Sequence, residues 1–417
     1  MNWILDLQAV AGIGVFVLLA LPLSSRIGAI RWRLVLSAVA LQFAVCFLLL
    51  RVPPIARALG VLNLGVGAIA EASRRGTAFV FGYVGGAPPP FEIAHPEGLA
   101  VFAFQVVPII LVVSALSAVL WHWRILPIVI RAIAWIFERS LGTTGPAAFA
   151  VIANVFVGQV EAPLLVRPYI ARMTRYELLL MMTAGMAMIA GSMMVVYSAM
   201  LANHFDNMLT QLLTKSLMSI PASILFAHLM LPDDSAAAGH VDPGRSYSST
   251  IDAITRGTTD GLKIWLNVIA ILIVLIALVA LVNLGVAALP PVGGLPLSLE
   301  RMAGWLFAPL AWLMGIPWAE ASGAGSLLGI KTVLNEFIAY LKLAELGPAA
   351  FSDRTRLVTI YALCGFANFA SMGIQIGGIA AMAPERRADL NELALRSLVG
   401  ATLASCMTGA IVGIVAF

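Results

Sequence analysis

Apolar residues run along this chain in stretches long enough to cross a bilayer, and polar residues are confined to the gaps between them. A span needs roughly 20 mainly apolar residues. Eight segments qualify: 4–23, 34–50, 101–121, 178–201, 209–231, 264–288, 357–380 and 393–417. The first run lacks a basic leader and an A-x-A cleavage site before polar sequence, so it reads as a span and not a signal peptide. The linkers SSRIGAIRWR (24–33) and PERRADL (384–390) are basic, which puts both in the cytoplasm. The turn NHFDN (203–207) has neither Lys nor Arg and fits the outside, and PDDSAAAGHVDPGRSYSS (232–249) then falls inside. Eight spans with both termini outside satisfy these constraints.

Other segments are apolar but broken. In WRILPIVIRAIAWIFERSLG (123–142), Arg124, Arg131 and Glu138 recur every seven residues, which predicts a helix lying along the membrane interface. Residues 51–99, with Arg57, Arg74, Arg75 and a PPP run, read the same way. The broken regions also repeat. RAIAWIFERSLG (131–142) and RMAGWLFAPLAW (301–312) carry Arg, Trp and Phe at matching places. Each leads through a Gly/Ala-rich stretch to a polar cluster, VGQVEAP (157–163) or GIKTVLNEFIAY (329–340). Each cluster precedes a span with small residues at its middle, TAGMAMIAGS (183–192) or ALCGFANFAS (362–371). Three complete spans separate the copies, so the second enters the membrane from the opposite side. Inverted repeats with polar interruptions at corresponding places point to a secondary transporter's midplane site. The expected organisation is four regions. N-terminal scaffold helices fill 1–121, a first repeat 122–231, a loop with a linking span 232–288, and a second, inverted repeat 289–417.

Gly158 and Pro163 exclude a regular span around VGQVEAP, since Pro lacks the donor an interior turn uses. A re-entrant hairpin with Gln159 and Glu161 at its tip is the natural reading. Irregular backbone at membrane depth is tolerated only in a protein interior or beside a water-filled cavity. A charge at the bilayer centre costs roughly 3 kcal/mol even on the mildest scale. Two such acids, Glu161 and Glu336, are therefore costly to keep without a task; the alternative is that both are solvated acids on surface loops. Asn335 and Glu336 form the corresponding second tip, and Gly365, Asn368 and Ser371 interrupt the next span beside Phe366. Carboxylates and amides suit vicinal hydroxyls, and an aromatic face suits a flat ring or sugar. Lys215, His228, Asn267 and Asn283 are expected to serve helix packing.

Composition strengthens the membrane reading. The chain is 61% hydrophobic and 11% charged with a mean hydropathy of +0.97, against about 25% charged residues in soluble domains. Its net charge of +4 comes from clusters between spans, which suit topology and lipid head groups better than nucleic acid. Cys46, Cys364 and Cys406 lie in apolar runs, where neither a disulfide framework nor a metal site is expected.

Taken together, GQVEAPLLVRPYI, GIKTVLNEFIAY and CGFANFAS closely resemble the signatures of the concentrative nucleoside transporter family, bacterial members included, over essentially the whole chain. The resemblance implies an all-α polytopic fold of eight spans, two re-entrant hairpins, broken helices and interfacial helices. It implies a homotrimer in the inner membrane that imports nucleosides, uridine-like or purine, by elevator-like movement coupled to Na+ or H+, with no other cofactor. By position, Gln159 and, through water, Glu161 would meet the nucleobase. Glu336, Asn368 and Ser371 would hold the ribose, with Phe366 nearby and Ile264 packing on the base. A sodium site would draw on the Asn154 side chain and the carbonyls of Val157 and Ile189. Two departures stand out. Val160 replaces the family's usual Thr or Ser, which bears on base preference. Met188 replaces a Ser at the sodium site, and a thioether is a poor partner for a hard cation. A proton carried by Glu161 or Glu336 is the competing coupling. The other function classes are an ion channel, which could not concentrate its solute, and an intramembrane enzyme, for which no motif speaks.

Overall fold

The computed structural model describes residues 2–92, 101–141, 145–201, 205, 207–232, 247–294 and 296–417. Most of the predicted turn at 203–207 and of the loop at 232–249 lies outside these residues, as do 93–99 and the Glu138 side chain. The described chain is helical: α1 (Asn2–Ala20), α2 (Trp32–Arg51), α3 (Pro53–Phe81), α4 (Phe102–Gln105), α5 (Ile109–His122) and α6 (Ile125–Leu141) come first. A broken region follows: α7 (Pro146–Ala153), α8 (Glu161–Leu165), α9 (Arg167–Ile170), α10 (Arg175–Ala187) and α11 (Gly191–Leu201). Next come the long helices α12 (Met208–Met230) and α13 (Thr250–Val286). The last third holds α14 (Leu299–Leu313), α15 (Trp318–Val333), α16 (Glu336–Glu345), α17 (Asp353–Leu363), α18 (Phe369–Met382) and α19 (Arg387–Ala416).

Among the described residues, seven stretches are long and apolar enough to cross a membrane, and each overlaps one of the predicted spans. The predicted span at 357–380 is two helices, α17 and α18, separated by a five-residue break. The apolar pair α14 and α15 could be counted as an eighth span by length, but it bends by 118°. The stretch beginning at 51 is the helix α3, which carries Arg57, Glu71, Arg74 and Arg75 and is not among the spans. Glu71 accepts from both Arg74 and Arg75, and these contacts hold its carboxyl below the usual range.

Packing separates the helices by their surroundings. In the span α10–α11, 89% of the most apolar window is buried, against 6% in α13. The central bundle is α10, α12, α17 and α19, with α1 and α2 laid against α12 and α19. By contrast α13 packs along α5 and touches little else. Small residues permit that closeness: a Cβ on Gly257 would fall 2.8 Å from the Ala115 Cα, and one on Gly261 3.0 Å from the Leu111 Cα. Within residues 1–121, α1 and α2 pack on the bundle, α5 packs on α13, and α3 touches both α2 and α5. Helix ends in the bundle are capped by side chains. Thr174 and Glu177 form a reciprocal capping box at α10, and Ser352 caps α17. His228 accepts from the Arg31 backbone N–H at 3.0 Å, and Asn283 binds both Glu300 and the Leu299 N–H at the start of α14. Both serve helix packing as expected, whereas Asn267 lies exposed on α13.

Candidate functional site

Both tips form where helix propensity fails. The short buried helix α7 stops at Ala153, and irregular chain follows until α8 restarts at Glu161 with Pro163 in its first turn, where no N–H is needed. In the second half α15 stops at Val333, and Asn335 caps α16 by accepting from the Ile338 N–H at 2.9 Å. Each hairpin faces a broken helix, α10–α11 or α17–α18, and the two breaks touch. The Phe366 N–H donates to the Met188 carbonyl at 3.3 Å. Gly365, at φ +146°, makes this approach possible: a Cβ there would fall 2.7 Å from the Ala187 carbonyl oxygen.

The convergence point is polar and buried. Glu336, 4% exposed, accepts from the Tyr197 hydroxyl at 2.6 Å on Oε1 and from Asn368 Nδ2 at 3.2 Å on Oε2. At 2.6 Å the phenol contact lies at the short end of O–H···O hydrogen bonds. Asn368 is held at its other end too, because its Oδ1 caps α18 by accepting from the Ser371 N–H at 2.7 Å. A cleft of about 690 Å³, counted to its open mouth, lies beside this group. Gln159, Ile264, Glu336, Phe366, Asn368 and Ser371 all line it, so six of the sequence-predicted residues meet at one place. Met193 and Tyr197, which sequence reasoning passed over, line it as well. The Gln159 amide oxygen is buried there without a protein hydrogen-bond partner.

Glu161 and Val160 lie elsewhere. Glu161 lines an adjacent cavity of about 910 Å³ that reaches Trp121, Tyr247 and Asp260, and Ile264 borders both spaces. Burial and the nearby Asp260 push the Tyr247 phenol above its ordinary range, so it stays a neutral hydroxyl. Val160 lines neither cavity. A Cβ on Gly378 would lie 2.7 Å from Val160 Cγ1, so the valine is seated in a slot on α18. The expectation of a base-facing position 160 is corrected to that extent: the chain at the tip turns the side chain toward α18.

Of the residues expected to hold a cation, Asn154 follows the end of α7 while Met188 and Ile189 form the α10–α11 break. Asn154 donates from Nδ2 to the Ala184 carbonyl at 3.2 Å, while its buried Oδ1 has no protein partner. Met188 and Ile189 are fully buried at the α10–α11 break, and Val157 lies in the irregular tip, where the neighbouring Phe156 carbonyl accepts from the Gly191 N–H at 3.3 Å. An amide oxygen free of donors suits a hard cation, and the Met188 thioether contributes nothing to one. Two buried lysines cap the half-helices that end here. Lys215 donates to the Ala187 carbonyl and to Ser405, and Lys331 donates to the Ala362 carbonyl at 2.8 Å. Cations are favoured at helix C-termini.

Residues 11–84 match the N-terminus, and 211–413 the C-terminus, of the family described as Na+ dependent nucleoside transporters, and 103–203 match a nucleoside recognition domain. Nucleoside permease NupC of Helicobacter pylori is 34% identical over 415 residues, which cover 98% of this chain and 97% of that protein. Among solved structures, CNTnw in an inward-facing substrate-bound state is similar with a TM-score of 0.88 at 34% identity, over 100% of this chain and 98% of that one. A doubly substituted CNTnw in an outward-facing state is similar with a TM-score of 0.88 at 35% identity, over 98% and 97%.

Proposed function

The chain belongs to the Na+-dependent nucleoside transporter family, and from that premise we propose that it is a cation-coupled importer of nucleosides in a bacterial inner membrane. The family is one of transporters, which sets aside an enzyme built on Glu161 and Glu336. The observation that carries the reading is the buried Glu336, held by Tyr197 and Asn368 in a cleft that Gln159 enters from the opposite hairpin. A ribonucleoside matches that polarity. Its vicinal hydroxyls donate to Glu336 and reach Asn368 and Ser371, its ring packs on Phe366 and Ile264, and its base lies at Gln159. Glu161, in the adjoining cavity, contacts it through water.

Sodium is the proposed coupling ion. Asn154 Oδ1 with the Val157 and Ile189 carbonyls would hold it, joining the first hairpin to the α10–α11 break. Cation binding then orders the tip that carries Gln159, so that cation and nucleoside stabilise one another. Without different affinities in the two states there is no coupling. Outward-facing and inward-facing forms of CNTnw support alternating access. The α5–α13 pair would be the fixed frame, and the bundle carrying both hairpins would move past it as an elevator. The apolar, outward-facing surface of α13 suits contact between three copies in a homotrimer.

Equilibrium uridine binding to the purified protein in NaCl and in choline chloride tests the ion. Tighter binding in NaCl is expected. Equal affinity in both salts, with a dependence on pH instead, would replace sodium by a proton.

A further inference from the structure

The tip of the first hairpin docks on α18 through two consecutive residues. Val160 enters the slot at Gly378, and Gln159 lies next to Gln375, one turn earlier on the same helix face. Both glutamines converge on Gly185 of α10. A Cβ there would lie 2.1 Å from Gln375 Nε2 and 3.3 Å from Gln159 Cβ, so only glycine leaves room for the pair. Gln375 is fully buried and donates from Nε2 to the Met182 carbonyl at 3.2 Å. That bond settles which end of the amide is which: the nitrogen is committed to α10, and the oxygen is left over. The leftover Gln375 Oε1 is buried with no protein partner, and so is Gln159 Oε1. Buried polar atoms are almost always paired, and two adjacent exceptions call for an explanation.

We propose that Gln375 is a positioning residue that sets the polarity of Gln159 toward the nucleobase. This rests on the reading that Gln159 meets the base. Gln375 Oε1 can only accept, so the Gln159 group that turns to it on substrate binding is its Nε2 amide. Gln159 Oε1 then faces the cleft as an acceptor. The relay runs from the base N–H to Gln159, from the Gln159 N–H to Gln375, and from the Gln375 N–H to the Met182 carbonyl. Every amide group in it is used once, and both orphaned oxygens gain donors. The site therefore selects bases that present an N–H at this edge. Bases offering only ring acceptors leave Gln159 Oε1 unpaired, and a site built for a substrate N–H rejects analogues lacking it more strongly than an apolar pocket rejects a missing methylene. Gln375 does not line the cleft, so it acts through Gln159 and never on the substrate directly.

The test compares affinity for uridine with that for pyrimidin-2-one ribonucleoside. The second base has the same ring, carries no N–H and offers N3 as an acceptor. Titration calorimetry on the purified protein gives both constants. In Gln375→Leu, Gln159 is free to turn its amide and donate to N3. The preference for uridine should fall about tenfold relative to the unmodified chain, the equivalent of one hydrogen bond. An unchanged ratio, or an equal loss of affinity for both nucleosides, would overturn the relay. Gln159→Leu is the companion variant. If it leaves the ratio untouched, Gln159 does not meet the base and the underlying site reading fails. If it abolishes the preference while Gln375→Leu does not, only the relay fails. Should Gln375→Leu not fold, a uridine-bound structure of the unmodified chain decides. Gln159 Nε2 within about 3.2 Å of Gln375 Oε1 is expected, and the two facing apart would overturn the proposal.

Discussion

Replacing Glu336 by Gln keeps the side chain's size and removes only its charge and one acceptor. Two donors now point at the carboxylate, Tyr197 at 2.6 Å and Asn368 at 3.2 Å. The amide oxygen of Glu336→Gln would stay with the tyrosine, the shorter bond, and its NH2 would then face another NH2 on Asn368. Asn368 cannot turn away freely, because its own oxygen caps α18 at Ser371. Losing the bond from Asn368 lowers the stability of the folded protein with or without nucleoside. Nucleoside hydroxyls that donated to a carboxylate would meet a neutral amide, and losing a hydrogen bond to a charged group costs binding about 1.5–3 kcal/mol. That weakens nucleoside binding by roughly 10- to 150-fold. Titration calorimetry with uridine on purified protein measures this, with thermal unfolding as a control for the fold. Affinity within about threefold of the unmodified chain would show that Glu336 is not the ribose acceptor.

Three further outcomes follow from the geometry. Met188→Ser supplies a hydroxyl at the α10–α11 break and should tighten the sodium dependence of uridine binding about tenfold, one added hydrogen-bond-scale ligand; an unchanged NaCl titration would deny position 188 a place at the cation. Val160→Thr buries a hydroxyl against α18 and not against the base, so relative uptake of uridine, cytidine and adenosine should shift by less than about twofold while stability drops by up to ~2 kcal/mol; a reordered base preference would contradict the orientation seen here. Lys331→Met removes the donor to the Ala362 carbonyl and should lower stability by about 1–3 kcal/mol, visible as earlier thermal unfolding in detergent; an unshifted transition would mean the lysine contributes no net cap to α17.

The spans were legible because lipid as solvent leaves long apolar runs, and the two tips because acids in such runs are costly. Gln159, Glu336, Phe366, Asn368 and Ser371 followed from that cost and from the family motifs together. Tyr197 did not, since MMVVYSAM is apolar on every side and no periodicity marks which face meets Glu336. Lys331 stands within GIKTVLNEFIAY, and Gln375 lies just past CGFANFAS, but buried cap and relay partners become visible only when the helices are set beside one another. The orientation of Val160 and the separate cavity of Glu161 lie in the irregular tip between Asn154 and Glu161. Neither a 3.6-residue nor a two-residue period applies there, so side-chain direction could not be read. The start of α13 was placed too late, at 264 and not at Thr250, because Asp252, Arg256, Asp260 and Lys263 interrupt the apolar run while Gly257 and Gly261 keep the helix packed on α5.

Uptake of labelled uridine into proteoliposomes under separately imposed sodium and proton gradients is the most direct measurement. An inward sodium gradient should drive internal uridine above the external concentration, and collapsing that gradient should return it to equality. Uridine that only equilibrates under either gradient would contradict cation-coupled import by this protein.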